Sequence, residues 1–502
     1  LLTIEDARSA FVHPYIWSAR SMTSLGIKGI ERKSINPAVP TDVIGYVYDS
    51  NESDTKAVIG LAVQAQSQWV RTALSERVHL LQKTADLYED HFGEFLAILC
   101  REAGKNLADG IAEIREAVDF LRYYGSQAEQ CGIGGQARGV IVCVSPWNFP
   151  LAIFTGQIAA ALVTGNTVIA KPAEETPLIA ALAINRFQEA GVPKNAIQLI
   201  LGPGSTVGAS LVSDTRINGV CFTGSLEVAK KINRQLAEKS PDAMFIAETG
   251  GLNAMIVDST ALMERAVDDI IRSAFQSAGQ RCSALRILYV QKEVEAQCLE
   301  ILFGAMDMLR VGDPWLISTD VGSLIDVEAE TQIASYIEQA RLNGRLLKET
   351  RAPSSGFFVA PTVIRVDGIE EMSHEVFGPV LHVARYQGKD LSKVIDAINA
   401  SGFGLTLGLH TRIDRRVQDV IDSVQVGNLY VNRDQIGAVV GSQPFGGERL
   451  SGTGPKAGGP LYLERFTIAK KDLMFCQSRP ASPIPKISGK ELMAAIEGLK
   501  SE

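Results

Sequence analysis

The chain has 502 residues, 46% hydrophobic and 21% charged, enough to bury a large core and to divide into two or three domains. Its formal net charge is -8 with acids and bases interspersed, which argues against nucleic acid or an anionic membrane surface as the main partner. Seven cysteines, at 100, 131, 143, 221, 282, 298 and 476, form no paired framework and no Cys-x-x-Cys, so a reducing, cytoplasmic compartment is expected.

The first residues, Leu-Leu-Thr-Ile-Glu-Asp, carry no signal-peptide pattern and no starting methionine, so the chain reads as a piece of something longer. From 53 to 130, apolar residues three and four apart predict helical scaffold. Four glycines in 131–139 suggest a turn or small arm. No charge occurs between Arg138 and Lys171, yet Ser145-Pro146-Trp147-Asn148-Phe149-Pro150 and Thr164-Gly165-Asn166 interrupt the apolar run. It reads as a strand over 140–144, a buried helix over 151–163 and a strand over 167–170, with no membrane span.

The alternation continues with a helix over 178–190, strands over 197–201 and 219–222, a helix over 226–239 and a strand over 244–247. A second block follows: helix 261–276, strand 287–290, helices 293–309 and 327–342, strand 357–359, helix 391–400 and strand 428–431. The fold class is therefore α/β, built on a doubly wound parallel sheet that binds ligands at the carboxyl ends of its strands. Beyond the glycine-rich stretch 437–459, three prolines in 478–490 suggest flexibility before a short helix over 491–499.

Several residues stand where chemistry is possible. Lys171 and Glu174 close one strand, while Phe222-Thr223-Gly224-Ser225 joins a strand to a helix whose first amides suit a pyrophosphate. Ser225 is equally a helix N-cap. Gly202 to Gly208 resembles a dinucleotide fingerprint with its last spacing one residue too long. Asn148, in a stiff turn between prolines, is either structural or a donor aimed at a ligand oxygen. Glu248 follows an apolar strand, where desolvation raises a carboxylate pKa toward that of a general base; a turn cap is the plainer role. Cys282 lies in the junction between a helix and a strand, either as a small buried apolar residue or as a nucleophile aimed by rigid neighbours. With six scattered histidines and no His-Glu-x-x-His, no metal is expected.

Six motifs in order, Ser-Pro-Trp-Asn-Phe-Pro (145–150), Phe-Thr-Gly-Ser (222–225), Glu-Thr-Gly-Gly (248–251), Gly-Gln-Arg-Cys (279–282), Glu-Val-Phe-Gly-Pro (375–379) and Pro-Phe-Gly-Gly (444–447), resemble the aldehyde dehydrogenase superfamily. Finer stretches, above all Val-Asn-Arg (431–433), Gly-Ala-Val-Val-Gly (437–441) and Leu-Ser-Gly-Thr-Gly-Pro-Lys-Ala-Gly-Gly-Pro (450–460), are similar to the 1-pyrroline-5-carboxylate (L-glutamate γ-semialdehyde) dehydrogenase modules of bacterial proline utilization A. Leu252 departs from the glutamine expected there.

The resemblance implies a Rossmann-type NAD-binding domain from 1–125 and 139–249 and a second α/β catalytic domain over 250–445. It also implies an oligomerisation arm from 126–138 and 462–480 and a flexible tail over 481–502. It makes Cys282 the nucleophile, Glu248 the base and Asn148 the oxyanion donor. NAD would be held by Trp147, Lys171, Glu174, Gly224, Ser225, Glu375 and Phe377. Phe149, Ser283, Gly437, Ala438 and Phe445 would grip a small-molecule semialdehyde. A homodimer, and covalent fusion to a flavin-dependent proline dehydrogenase, are implied as well. Competing readings are a dehydrogenase for another semialdehyde and a catalytically silent copy of the fold, against which the intact Cys282, Glu248 and Asn148 argue.

Overall fold

The centre of the first half is a sheet whose middle strand, Val140–Val144, reads Val-Ile-Val-Cys-Val. A strand that is apolar at every position needs cover on both faces, which parallel crossover helices provide. The computed structural model describes residues 2–11, 15–131 and 135–469. The five-stranded sheet runs Ile197–Leu199, Thr167–Lys171, Val140–Val144, Gly219–Thr223, Met244–Glu248, every pair parallel. The chain leaves the middle strand first to one side and then to the other, so the crevice expected at such a reversal opens beyond the carboxyl ends of Val140–Val144 and Gly219–Thr223.

The connecting helices follow from local sequence. Ala152–Val163 is mostly apolar, with Thr155 and Gln157 its polar residues, and is buried throughout but for a half-buried Ile153. Pro177 opens the next helix and Gly191, at φ +116°, closes it. Two buried carboxylates cap helix starts from outside: Glu102 accepts the N–H groups of Leu178 and Ile179 at 2.8 and 3.0 Å, and Glu113 those of Leu151 and Ala152 at 2.8 and 3.3 Å. Ahead of the sheet come the helices Glu52–Trp69, Leu74–Asp90, Phe92–Glu102 and Leu107–Cys131, the last packed on Ala152–Val163. Among the described residues no helix is long and apolar enough to cross a membrane.

The second half builds a seven-stranded sheet ordered Leu346–Glu349, Thr362–Arg365, Val380–Tyr386, Ile287–Gln291, Ala254–Val257, Thr406–His410, Asn428–Val431. Only Leu346–Glu349 runs antiparallel to its neighbour. One expectation is corrected: 357–359 is not a strand. The main-chain groups of Phe357 pair with Pro37 and Leu324, outside any sheet, and the strand begins after Pro361, whose missing N–H suits a strand entrance. Strands Ala254–Val257, Val380–Tyr386 and Thr406–His410 have no counterpart in the chain-order reading, nor does the sheet of Trp17–Arg20, Val39–Asp49 and Ile30–Asn36. Short, fully buried strands such as Ala254–Val257 and Thr406–His410 lack the alternation by which strands are recognised.

Of the expected arm, 126–131 continues the helix Leu107–Cys131 and 135–137 is a strand, while 132–134 and 470–480 lie outside the described residues. Arg138 Nε donates to the Arg465 carbonyl at 2.6 Å, so the described ends of both arm segments meet. The described residues up to 468 form one compact unit, and the expected tail and its helix lie outside the described residues.

Candidate active site

Cys282 lies between the helix Met263–Phe275, extended by a tight turn Gln276–Gly279, and the strand Ile287–Gln291. That turn is strained: Ser277 and Ala278 hold φ of 55° and 54°, a left-handed conformation costly for residues with a Cβ. At Gly279, with φ +67°, a Cβ would stand 2.1 Å from the Gly378 carbonyl, so only glycine fits. Such a loop persists only when its surroundings over-determine it. Arg286, with no exposed surface, donates Nη1 to the Gly279 carbonyl at 2.7 Å and Nη2 to the Arg281 carbonyl at 3.0 Å. Asn253 Nδ2 grips the carbonyls of Cys282 and Ala284 at 2.6 and 3.0 Å. Arg281 pairs with the buried Asp109 at 2.8 Å, tying the loop to the helix Leu107–Cys131.

The half-buried Cys282 thiol is pushed up to about 12, first by burial, then by the charges of Glu375 and Glu248; the Ser283 N–H and Arg281 offset part of this. The resting group is therefore a thiol. Asn148 is nine-tenths buried and gives one amide hydrogen to the Gln280 carbonyl at 3.1 Å, two residues before Cys282. A primary amide has a second hydrogen for another acceptor. Glu248 ends the strand Met244–Glu248 and is pushed up to about 8 by burial, against the Gly447 N–H and the Lys456 charge. Its Oε2 accepts from the Gly447 N–H at 2.8 Å, and its Oε1 has no partner among the described residues.

A cavity of about 500 Å³ brings together Phe149, Glu248, Cys282, Ser283, Gly437–Ala438 and Phe445. Asn148 is not in its lining; it reaches the site through the loop of Cys282. The Gly437 carbonyl accepts from Tyr430 Oη at 3.0 Å, which fixes the 437–438 turn. The Phe149 ring carries Lys105 Nζ at 4.4 Å and the Arg281 guanidinium at 5.2 Å from its centroid.

The remaining sequence-selected residues lie outside that lining. Glu375 Oε1 receives Nε and Nη2 of Arg286 at 3.1 and 2.9 Å, and a Cβ on Gly250 would come within 1.8 Å of its other oxygen. Phe377 lies under the same guanidinium at 5.1 Å and meets Trp147 edge-on at 5.5 Å. Lys171 is buried, its pKa lowered by desolvation, and Nζ donates to the Pro172 carbonyl at 3.1 Å. Glu174 Oε1 accepts the Gly204 N–H at 2.7 Å. Ser225 does cap its helix, accepting from Val228 N–H at 3.3 Å, and Gly224 N–H reaches the Glu248 carbonyl at 3.1 Å.

The profile of the "Aldehyde dehydrogenase family" matches residues 28–471. The chain belongs to the aldehyde dehydrogenase family. This family member is 51% identical over 469 residues to a "Bifunctional protein PutA" of Klebsiella aerogenes, covering 90% of this chain but 36% of that one. It thus spans about a third of that relative's length. A "1-pyrroline-5-carboxylate dehydrogenase" of Geobacillus kaustophilus (strain HTA426) is 38% identical over 458 residues, 87% of this chain and 88% of the other. The solved structure of a Thermus thermophilus 1-pyrroline-5-carboxylate dehydrogenase mutant superposes with a TM-score of 0.88 at 33% identity, covering 93% and 94%. The aldehyde dehydrogenase fold seen here is therefore shared along nearly the whole chain.

Sequence reading did not single out Arg286, the residue joining the loop of Cys282 to Glu375. Its signal was an arginine heading the apolar run Ile287 to Val290, a position where a cation is buried only with partners. Nor did it single out the acidic face of Leu107–Cys131, where Asp109, Glu113 and Glu116 reach the cavity at helical spacing. Leu252 is buried among Ile256, Ile287 and Leu407, a packing role for the residue that departs from the subgroup.

Proposed function

We propose that this chain oxidises L-glutamate γ-semialdehyde, the open form of 1-pyrroline-5-carboxylate, to L-glutamate with NAD, a step of proline catabolism. The observation that carries this reading is the single cavity in which Cys282 and Glu248 share a wall with Ser283 and the Gly437–Ala438 turn. Relatives named 1-pyrroline-5-carboxylate dehydrogenase and PutA support it.

In this reading Cys282 attacks the aldehyde carbon through sulfur, after its proton has left. A cation beside it favours that loss, because it opposes the burial and the two carboxylates that hold the thiol protonated. The developing oxyanion lies between the Asn148 amide and the Cys282 N–H; losing one such donor costs about 3 kcal/mol of transition-state stabilisation. Bound NAD supplies the acceptor for the hydride from that carbon. Cys282 is then a thioester, and Glu248 removes a proton from the water whose oxygen attacks it. The C–S bond breaks, Cys282 leaves as thiolate and glutamate is released.

Ser283 and the N–H groups of Gly437 and Ala438 hold the α-carboxylate, donating without the desolvation cost of a charged partner. Phe149 and Phe445 flank the aliphatic chain. For the cofactor, Lys171 and Glu174 hold the adenine ribose, Trp147, Gly224 and Ser225 the pyrophosphate, and Glu375 and Phe377 the nicotinamide ribose. The buried Lys171 ammonium, which donates to the Pro172 carbonyl, fits a polyhydroxyl partner. The Glu174 carboxylate suits a 2′-hydroxyl and repels a 2′-phosphate. The domain boundaries, arm, homodimer, cytoplasmic setting and fusion to a proline dehydrogenase given by the resemblance complete the proposal.

The test is steady-state NAD reduction with 1-pyrroline-5-carboxylate beside succinate semialdehyde and simple aliphatic aldehydes. Clear preference for the first is expected, and none for Cys282→Ala with any of them. Equal efficiency on succinate semialdehyde would move the substrate, equal efficiency with NADP would remove the Glu174 role, and reduction surviving Cys282→Ala would end the thiol mechanism.

A further inference from the structure

The cavity wall that carries Glu248 continues onto the two packed helices Leu107–Cys131 and Ala152–Val163 through Tyr124 and Gln157. Gln157 is buried. One end of its carboxamide donates to Thr223 Oγ1 at 3.2 Å, and the other end has no partner among the described residues. Turning the amide over changes which atom meets Thr223 but still leaves one end alone. Glu248 shows the same division, with Oε2 on the Gly447 N–H and Oε1 alone.

These two orphaned atoms belong to one local assembly. Thr223 and Glu248 are register partners at the ends of adjacent parallel strands, so their side chains leave the sheet on the same face. Gln157, Thr223 and Glu248 all line the one cavity. Buried polar atoms are almost always bonded, so a donor is missing here. The cation that acts on Glu248 is engaged elsewhere, Lys456 Nζ binding the Gly427 carbonyl, and Arg281 of the same cavity pairs with Asp109. A water molecule fits, with two hydrogens to give and room for it in a cavity of about 500 Å³.

We propose that Gln157 and Glu248 together hold the water that hydrolyses the Cys282 thioester, which makes Gln157 a water-positioning residue of this site. The inference rests on the roles of Cys282 and Glu248 stated under the proposed function. The water gives one hydrogen to Glu248 Oε1 and bonds the free end of Gln157 through the other side. On reaction its oxygen bonds to the acyl carbon, Glu248 takes one proton, and the C–S bond breaks with the electron pair leaving on sulfur. Gln157 exchanges no proton and acts by orientation alone.

Hydrolysis of p-nitrophenyl acetate tests this with neither cofactor nor semialdehyde, because acylation of Cys282 and hydrolysis of its acyl group are the whole reaction. Gln157→Met keeps the volume and removes the polar end, while Gln157→Glu keeps a hydrogen-bonding end at the same reach. Burst amplitude counts folded, acylatable protein, so a misfolded fraction drops out. The Met variant is expected to give a normal burst of p-nitrophenolate followed by a steady phase slowed about tenfold. The Glu variant should recover most of that rate, with its pH dependence moved upward because a second carboxylate opposes ionisation of Glu248. A Met variant with an unchanged steady phase, one that loses burst rate and steady rate alike, or a Glu variant no faster than Met would overturn the proposal. Ester hydrolysis that behaves as expected in a protein inactive on glutamate semialdehyde would leave the water site standing and reject only the substrate.

Discussion

Two half-buried carboxylates raise the pKa of the Cys282 thiol, and the regions around them are built differently. Glu375 is clamped: two N–H groups of Arg286 hold one oxygen, and Gly250 lacks the Cβ that would strike the other. Glu248 has one backbone N–H on one oxygen, no partner among the described residues on the other, and Lys456 as a more distant charge. Burial raises both, but only Glu375 has a guanidinium pulling the other way. The difference teaches that partners, beside burial, set how firmly each carboxylate is held. The clamped one can hold geometry; the loosely held one, at about 8, can exchange a proton near neutral pH.

The comparison breaks most severely at Arg286. Arg286→Ala strands Glu375 as an unpaired buried charge and frees the carbonyls of Gly279 and Arg281, with an expected loss of about 3–5 kcal/mol read by denaturant unfolding. A loss within 0.5 kcal/mol or so of zero would show that the clamp is not structural. Next in size, Glu248→Gln should keep the first turnover of NAD reduction while steady turnover falls about a hundredfold or more. Normal turnover in that variant would remove Glu248 as the base.

Acidity sharpens the contrast with smaller effects. A raised carboxyl pKa leaves Glu248 neutral below about 8 and ionised above it, so the hydrolytic step should quicken as pH rises through that value. Stopped-flow separation of burst and steady phases reads this directly, and a pH-independent steady phase would contradict it. Lys456→Met removes a charge that lowers the Glu248 pKa, so the same rise should move to higher pH. A downward move would show that the Lys456 charge does not act on Glu248.

Much of the site was legible because each residue sits beside a local signal. Cys282 lies between a helix and a strand, Glu248 ends an apolar strand, and Asn148 lies between prolines; the structure places all three at such junctions. Ser225 was open between cap and ligand residue, and its capping bond is present without deciding the other role. The strand expected at 357–359 failed because an apolar run reports burial, and Phe357 is tied to Pro37 and Leu324 instead of to a strand. Arg286 was missed because its partners, Glu375 and the carbonyls of 279 and 281, cannot be paired with it from spacing alone.

The amino-acid order alone determined the alternation of strands and helices, the turns that end them and the residue types at those ends, since propensity, capping and glycine conformation act within a few residues. It also carried the family, through motifs that persist in order along the chain. Only the tertiary structure decided which carboxylate is clamped and which is loose, that Gln157 keeps an end unpartnered among the described residues in the cavity of Glu248, and that Arg286 pins the loop of Cys282 from within. Those properties depend on burial and on partners from a few to hundreds of residues away, and desolvation has no value until the chain has closed around the group.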